Sequence, residues 1–291
     1  MTVSQYVPFL VLGVSLGSVF ALSGVGIVVL YRATGVLFLA GGAVGAFGTL
    51  CAWSLVDGAG LPVGVAAAVA VAVGVGVTLA YGLVVGPRLA DREPVVKSTA
   101  TLGLLLALLG TMSTVWGADT YDLTLPSTEW GLRLGEAYVN GTQLAGLVLS
   151  LLATVGVSWF LRRTRTGTAM RSLAEDRQTT AMLGVDVGRL EALAWAGSGL
   201  VFAVSGLLLS NMVGLDITGL TFLVVSGLAA ALLGGLSSLS ATFAGGIAIG
   251  VMQSLLTPIS AVSSYRALTP FVVAVVVVLV MAGRRPATAR V

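Results

Sequence analysis

Apolar residues run through this chain in long uninterrupted stretches, and charged residues fall in a few short groups between them. The apolar segments lie at 8–30, 36–56, 61–86, 98–117, 142–161, 191–213, 220–236, 241–257 and 267–283. Most of them match the roughly 20 residues that an α-helix needs to cross about 30 Å of hydrocarbon. The pattern predicts an all-α polytopic membrane protein, a bundle of about eight to nine transmembrane segments. Because 220–236 and 241–257 are short and adjoin each other, we expect them to be tilted, broken or re-entrant.

Composition supports a membrane protein and narrows the chemistry. Hydrophobic residues make up 57% of the chain and charged residues 9%, against about 25% charged residues in soluble domains. The only cysteine is Cys51, in an apolar stretch, and there is no histidine. A disulfide framework, a cysteine-based metal cluster and imidazole chemistry are therefore excluded within one chain. We predict no catalytic, metal-binding or cofactor-binding residue in it.

The positions of the basic residues predict the orientation. If the 162–190 loop is cytoplasmic, alternation of the spans places Arg32, the 87–97 loop and the C-terminal tail on the same side. Only Arg133 and Arg266 then lie outside. This matches the excess of Lys and Arg in cytoplasmic loops. We expect a multi-pass protein of the bacterial cytoplasmic (inner) membrane, with the N-terminus outside and the C-terminus inside.

Glycines spaced four residues apart predict close helix packing. The pairs are Gly13 with Gly17, Gly82 with Gly86, and Gly246 with Gly250. Small residues at this spacing let helix backbones approach in lipid, where packing and weak hydrogen bonds replace the hydrophobic drive. Ordinary bundle packing explains them better than a dedicated dimer motif.

The 162–190 loop is the richest polar segment and reads as folded structure. Ser172 followed by Glu175 predicts a capping box, and a helix from about 173 to 183 follows from it. Gly184 suits the left-handed position that ends this helix, and Asp186 suits the cap of the next one. The apolar side chains of the corner either insert into a groove of another protein or lie on the bilayer or the bundle.

At this loop the sequence resembles a known family. The run Arg171-Ser-Leu-Ala-Glu-Asp-Arg-Gln-Thr-Thr-Ala-Met-Leu-Gly-Val-Asp resembles the branched-chain amino acid permease subunits of bacterial ABC importers. Leu16-Gly-Ser-Val-Phe-Ala-Leu looks like the family's first helix, and Ala230-Ala-Leu-Leu-Gly-Gly-Leu-Ser-Ser resembles its Gly-Gly-x-Gly-Ser stretch, with Leu236 and Ser240 in place of usual glycines. The resemblance extends along nearly the whole chain and implies a single transmembrane permease domain over 1–291.

The resemblance also implies roles and partners. In that family the loop is a coupling helix that contacts an ATP-binding subunit, and the positions carried over here are Ser172, Ala174, Glu175, Asp176, Ala181, Leu183, Gly184 and Val185. ATP and Mg are expected in two partner ATP-binding subunits, because this chain has no Gly-x-x-x-x-Gly-Lys-Ser/Thr phosphate loop. The other expected partners are a second homologous permease subunit or a second copy of this chain, and an extracytoplasmic substrate-binding protein.

The transported solute stays open at this point. Relatives carry branched-chain and other amino acids, amides or urea, and the polar residues of the apolar segments do not single out a binding site. They are Thr101, Ser113, Thr114, Asn211, Ser226, Gln253 and Thr257. Each is more often a helix-packing residue than a substrate contact. The extracytoplasmic loop 118–141 carries Asp119, Asp122, Glu129 and Glu136, and we expect it to form part of the surface that docks the binding protein.

Two other classes of protein are alternatives to the importer. An ATP-independent channel or facilitator for a small neutral solute would also tolerate an uncharged, glycine-rich path, but it does not explain the folded cytoplasmic loop. A membrane-embedded enzyme is further away, because no nucleophile and base pair is identifiable.

Overall fold

The computed structural model describes residues 6–90, 92–117, 119–128, 130–134, 137–258 and 263–283. Its α-helices are α1 (Val7–Thr34), α2 (Gly41–Ala59), α3 (Val63–Val84), α4 (Gly86–Leu89), α5 (Pro94–Trp116), α6 (Gly141–Arg163), α7 (Arg165–Glu175), α8 (Arg177–Met182), α9 (Val187–Val213), α10 (Ile217–Thr221), α11 (Leu223–Leu233), α12 (Leu239–Leu255) and α13 (Thr269–Gly283). Strands β1 (Gly131–Leu134) and β2 (Ala137–Asn140) form one antiparallel hairpin. Short 3₁₀ turns lie at Pro126–Thr128 and Ser263–Leu268.

This architecture confirms the prediction of an all-α polytopic membrane protein. Within the described residues, α1, α3, α5, α6 and α9 are long and apolar enough to cross a membrane. The stretches Ile217–Leu233, Leu239–Leu255 and Tyr265–Val280 are shorter apolar helices. Segment 220–236 is broken, as expected, because α10 ends at Thr221 and α11 begins at Leu223. The hairpin between α5 and α6 was not predicted.

Segment 36–56 becomes helical later than its apolar pattern suggests. α1 ends at Gly35, whose φ of +69° suits a residue without a side chain, and α2 begins only at Gly41. The intervening stretch is fixed to α5, since the backbone N–H of Leu37 donates to the Ser98 hydroxyl and that of Leu39 to the Thr101 hydroxyl. The Thr101 hydroxyl therefore helps to pack this stretch against α5.

Helix α1 lies in the centre of the bundle, and 78% of its most apolar 18-residue stretch is buried. It packs along α12 through the predicted glycines. A Cβ added to Gly17 would come within 2.7 Å of the Ile247 Cα, and one added to Gly250 within 2.3 Å of the Gly17 Cα. Such contacts leave no room for a side chain, so the glycines set the distance between the two helices.

The second predicted glycine pair is only half confirmed. A Cβ on Gly82 would meet the Trp195 ring at 2.3 Å, so α3 receives the side chain of α9 there. Gly86 has only one neighbour within 4 Å, the Trp195 Nε1 at 3.9 Å, and needs no small residue for packing.

The ends of the helices form two polar faces of opposite character. On the first, which we name the basic face, Arg32 Nη1 donates to the Ser237 carbonyl at 3.2 Å, so α1 and the α11–α12 turn meet. This face also carries Arg88, Arg92, Lys97, Arg162, Arg163, Arg165, Arg171, Arg177 and Arg189. Arg133 lies in strand β1 and Arg266 in the turn before α13. The charge map used for the predicted orientation is therefore consistent with the fold.

The opposite face is held together by polar contacts of Asn211. Its Oδ1 accepts from the Thr142 hydroxyl at 2.8 Å, and its Nδ2 donates to the Leu123 carbonyl at 2.8 Å. Tyr121 pairs with Leu215 through backbone hydrogen bonds. Asn211 thus fastens the loop before α6 to the end of α9. In the 118–141 loop Asp119 and Asp122 are exposed.

Some predictions concern residues without a structural description. Ala118, Glu129 and Glu136 of the 118–141 loop, and the C-terminal tail from 284 to 291, lie outside the described residues.

Candidate functional site

Helix α7 begins earlier than the sequence pattern suggests. Thr164 caps it, because its hydroxyl accepts from the Gly167 backbone N–H at 2.9 Å. Gly167 lies against the end of α6, where a Cβ would approach the Phe160 carbonyl oxygen to 2.2 Å. This close contact brings α7 back beneath the bundle, and its side chains Met170 and Leu173 are buried.

The predicted capping box of Ser172 and Glu175 is wrong. Ser172 lies inside α7, and its hydroxyl donates to the Ala169 carbonyl at 3.0 Å instead of accepting from a helix N-terminus. A serine within a helix satisfies its hydroxyl by bonding back to an earlier carbonyl, so the Ser-x-x-Glu pattern alone does not fix a helix start.

The predicted helix over about 173–183 is instead two helices divided at Asp176. The Asp176 backbone is extended, with φ −152° and ψ 110°. Its carboxylate accepts from the Thr179 backbone N–H at 3.1 Å and from the Thr179 hydroxyl at 2.6 Å. Asp176 is therefore the residue that caps α8.

The other two features predicted for this loop are confirmed. Gly184 has φ +80°, and its N–H donates to the Ala181 carbonyl at 3.0 Å, so it turns the chain after α8. Asp186 caps α9 by accepting from the Arg189 N–H at 3.1 Å. The result is a compact corner, α7–α8–Gly184, which we name the 165–186 corner.

The 165–186 corner exposes most of the residues that the sequence singled out. The side chains of Met182 and Leu183 are 85% and 75% exposed. Ala174, Glu175, Asp176, Ala181 and Gly184 are also exposed, whereas Ser172 and Val185 are partly buried. Thr180 and Leu173 form the buried underside. Two large apolar side chains at the tip of a polar loop mark a surface suited to contact with another protein.

One ion pair links this corner to the membrane helices. The Arg177 Nε lies 3.1 Å from the Glu191 Oε1, which joins α8 to the first turn of α9. One turn further along α9, Trp195 packs edge-on against Phe38, with ring centroids 5.3 Å apart. Phe38 also contacts Tyr81 of α3 and Phe202 of α9. The ion pair therefore lies one helical turn from an aromatic cluster shared by three parts of the bundle. The sequence reasoning missed this pair, because residues 14 positions apart give no local signal.

An apolar cavity of about 450 Å³ opens between α1, α9, α11, α12 and the start of α13. Its lining includes Phe20, Phe222 and Phe271, with two polar side chains, Ser226 and Gln253. The Gln253 Oε1 is buried and has no hydrogen-bond partner among the described residues. An apolar cavity with an unsatisfied polar group is the usual form of a small-molecule site.

Other polar candidates lie elsewhere. Thr114 is exposed and donates to the Gly110 carbonyl of its own helix, and Ser113 is exposed beside it. Thr257 accepts from Arg266 Nη1 at 3.4 Å, at the end of α12. Of the seven polar residues named in the apolar segments of the sequence, only Ser226 and Gln253 line this cavity. Among the described residues, no group of three or more His, Cys, Asp or Glu could hold a metal ion.

A multi-pass bundle of apolar helices defines an all-α polytopic membrane protein. The chain belongs to the family described as "Branched-chain amino acid transport system / permease component", whose model matches residues 9–281. The family resemblance inferred from the sequence is therefore confirmed.

Curated relatives agree with this assignment. The chain is 27% identical over 285 residues to the high-affinity branched-chain amino acid transport system permease protein LivH of Escherichia coli K12, covering 92% of this chain and 91% of the relative. It is 27% identical to BraD of Pseudomonas aeruginosa, with 86% of each chain covered. It is also 30% identical over 162 residues to the autoinducer 2 import system permease protein LsrC of Klebsiella pneumoniae, covering 55% of this chain and 44% of that protein.

Proposed function

We propose that this chain is the transmembrane permease subunit of an ABC importer, driven by two separate ATP-binding subunits. Membership of the permease family supports the assignment to a transport permease. The exposed 165–186 corner supports the proposal that separate ATP-binding subunits drive transport. Its apolar tip, Met182 and Leu183, is the observation that carries the proposal, since such exposure in a folded polar loop needs a partner to cover it. ATP and Mg would bind in the partner subunits, and this chain would carry no catalytic residue.

The contact would combine the apolar tip with nearby charge. Glu175 and Asp176 lie at the joint between α7 and α8 and are exposed beside Ala174. On the other side of the tip are Ala181 and Gly184. An ATP-binding subunit with an apolar groove edged by basic residues would fit this surface. Movement of that groove would pull on α8, and the Arg177–Glu191 pair would pass the movement to α9.

The proposed orientation places the basic face in the cytoplasm of the cell, at the inner membrane. This follows the positive-inside bias and puts the 165–186 corner where ATP is available. The N-terminus would then lie outside, and Asp119 and Asp122 would be accessible to an extracytoplasmic binding protein. A second permease subunit, homologous or identical, would complete the transport path, and the whole of 1–291 would form one permease domain.

The proposed solute is small and partly apolar. The 450 Å³ cavity reaches the opposite face near Leu268 and is lined mainly by Leu and Phe side chains. Gln253 would offer one amide group to the polar end of the solute. A branched-chain amino acid fits this combination best, and another amino acid, an amide or a urea-like compound remains within the proposed class.

Leu183 variants test the proposal. Leu183→Asp should abolish co-purification of the ATP-binding subunits and ATP-dependent uptake, whereas Leu183→Met should keep both, because only the first removes the apolar contact. Since Leu183 is exposed, neither change disturbs internal packing. Uptake that survives ATP depletion in the wild type would contradict the importer and favour an ATP-independent channel or facilitator.

A further inference from the structure

Two cavities adjoin each other at the basic face, between the ends of α6 and α12. The first has a volume of about 400 Å³ and is lined by Arg32, Arg162 and Arg171 together with serines of the α11–α12 turn. The second has a volume of about 300 Å³ and runs along α6 past Val155 and Trp159. Ser158, Arg162 and Ser240 line both cavities, so the two spaces are adjacent.

The first cavity is strongly electropositive. Its lining brings three guanidinium groups together and, within the described residues, includes no Asp or Glu. The ion pairs found in the described part of the chain use other arginines, Arg177 and Arg189. The N-terminus of α12, capped by Ser238, points into the same region and adds a partial positive charge. Such a group of cations is matched by a phosphate, which accepts several charge-assisted hydrogen bonds.

The second cavity is more apolar, although Arg162 and Arg163 also lie at its edge. Val155 and Trp159 are 58% and 62% exposed on the outer surface of α6. The Thr154 hydroxyl donates to the Ser150 carbonyl at 2.8 Å, so its donor group already has a partner. The surface left is an exposed apolar groove along α6 that includes Trp159, and tryptophan is enriched at the level where a bilayer becomes polar.

We propose that the two cavities form one site for an anionic phospholipid. The phosphodiester would lie among Arg32, Arg162 and Arg171, and an acyl chain would follow the groove beside Val155 and Trp159. Basic pockets between membrane helices are the usual sites for anionic headgroups. The apolar groove is what distinguishes a lipid from a soluble phosphate, which would leave it empty.

The site would tie the 165–186 corner to the bundle. Arg171 belongs to α7, whereas Arg32 ends α1 and Arg162 ends α6. A bound phosphate would neutralise the repulsion among these three cations and hold α7 against the two membrane helices. Anionic lipid should therefore stabilise the corner, whatever protein docks on it.

Lipid binding to the full-length chain in detergent tests the site. Delipidated protein is titrated with phosphatidylglycerol or with phosphatidylcholine and followed by native mass spectrometry. We expect phosphatidylcholine to bind at least about tenfold more weakly, because it has no net negative charge. The double variant Arg162→Gln/Arg171→Gln should lose about 25-fold in phosphatidylglycerol affinity, taking about fivefold for each arginine. Arg165→Gln, an exposed arginine outside both cavities, should bind like the wild type.

Two further experiments distinguish a bound lipid from inorganic phosphate and from a docked protein. Val155→Trp fills the groove and should weaken phosphatidylglycerol binding while leaving the thermal unfolding temperature unchanged. If the double variant does not fold, Arg171→Gln alone should still show the fivefold loss. Equal binding of the two lipids, displacement of phosphatidylglycerol by equimolar inorganic phosphate, or displacement by a docked ATP-binding subunit would overturn the proposal.

Discussion

The Arg177 guanidinium lies 3.1 Å from the Glu191 carboxylate, across the turn that separates α8 from α9. Their side chains are 43% and 17% exposed. The pair is a side-chain connection between α8 and the membrane-spanning helix α9. Its position beside Trp195 and the aromatic cluster gives a movement of α8 a route into the bundle.

Breaking this pair should weaken coupling more than stability. We expect Glu191→Gln to cost at most about 1 kcal/mol of unfolding free energy, since partly exposed ion pairs contribute little. Solute-stimulated ATP hydrolysis should fall several-fold, and the exchanged pair Arg177→Glu/Glu191→Arg should restore part of it. Arg189→Gln breaks the more exposed Asp186 pair and is the matched control, with no expected loss. Equal loss in both variants would contradict the connection.

Asp176 should matter as a helix cap, and Ser172 should not. Asp176→Ala removes the group that accepts from Thr179 and should destabilise α8 by about 1 kcal/mol. Ser172→Ala removes a hydroxyl bonded back into its own helix and should be nearly neutral. Amide exchange at 177–179 measures the effect of Asp176→Ala, and exchange at 173–175 measures the effect of Ser172→Ala. Faster exchange in Ser172→Ala would return the helix start to the position that the sequence pattern suggested.

The backbone conformation of Gly184, and not the space around it, should decide which substitutions are tolerated there. Its φ is +80°, and a Cβ there would meet nothing within 4 Å. Gly184→Val should therefore cost about 1 kcal/mol or more through left-handed strain, whereas Gly184→Asn should be tolerated. Protease sensitivity of the 165–186 corner gives the readout. Comparable sensitivity of the two variants would argue against the strained turn.

Gln253 and Asn211 are two amides with opposite expected roles. Gln253→Met removes an unsatisfied buried oxygen, so we expect unchanged or higher thermal stability together with a raised KM for uptake. Asn211→Leu removes the partner of the Leu123 carbonyl and one of the two partners of the Thr142 hydroxyl, which keeps its contact with Ser127, and should destabilise by about 1–3 kcal/mol. Wild-type uptake kinetics in Gln253→Met would remove this cavity from the solute path.

The crossing of α1 and α12 should reject any added side chain. Gly17→Ala places a Cβ 2.7 Å from the Ile247 Cα and should cost about 1–3 kcal/mol through overpacking. Gly103 lies in α5 with nothing within 4 Å of an added Cβ. Gly103→Ala should therefore be neutral or slightly stabilising. Thermal unfolding in detergent compares the two, and similar melting temperatures would contradict the close crossing.

The sequence predicted what depends on local pattern or on composition. The apolar segments, the close packing at Gly13, Gly17, Gly246 and Gly250, the turn at Gly184 and the Asp186 cap all follow from residue type at a given spacing, whereas the pairing of α1 with α12 does not. The division at Asp176 was missed because Ser172 and Asp176 are both suitable caps, and tertiary contact of Gly167 with α6 decides between them. The Arg177–Glu191 pair and the Gln253 cavity depend on three-dimensional packing, which cannot be inferred from a single sequence.

Solute-stimulated ATP hydrolysis by the complex in lipid, with its binding protein, tests the central claim most directly. Wild type is compared with Glu175→Arg, an exposed change at the joint of α7 and α8. Drive through the 165–186 corner predicts that the assembled variant binds its ATP-binding subunits but loses most of the stimulation. Equal stimulation in the variant would contradict a role for Glu175 in coupling, and a wild-type chain that recruits no ATP-binding subunit would contradict the importer itself.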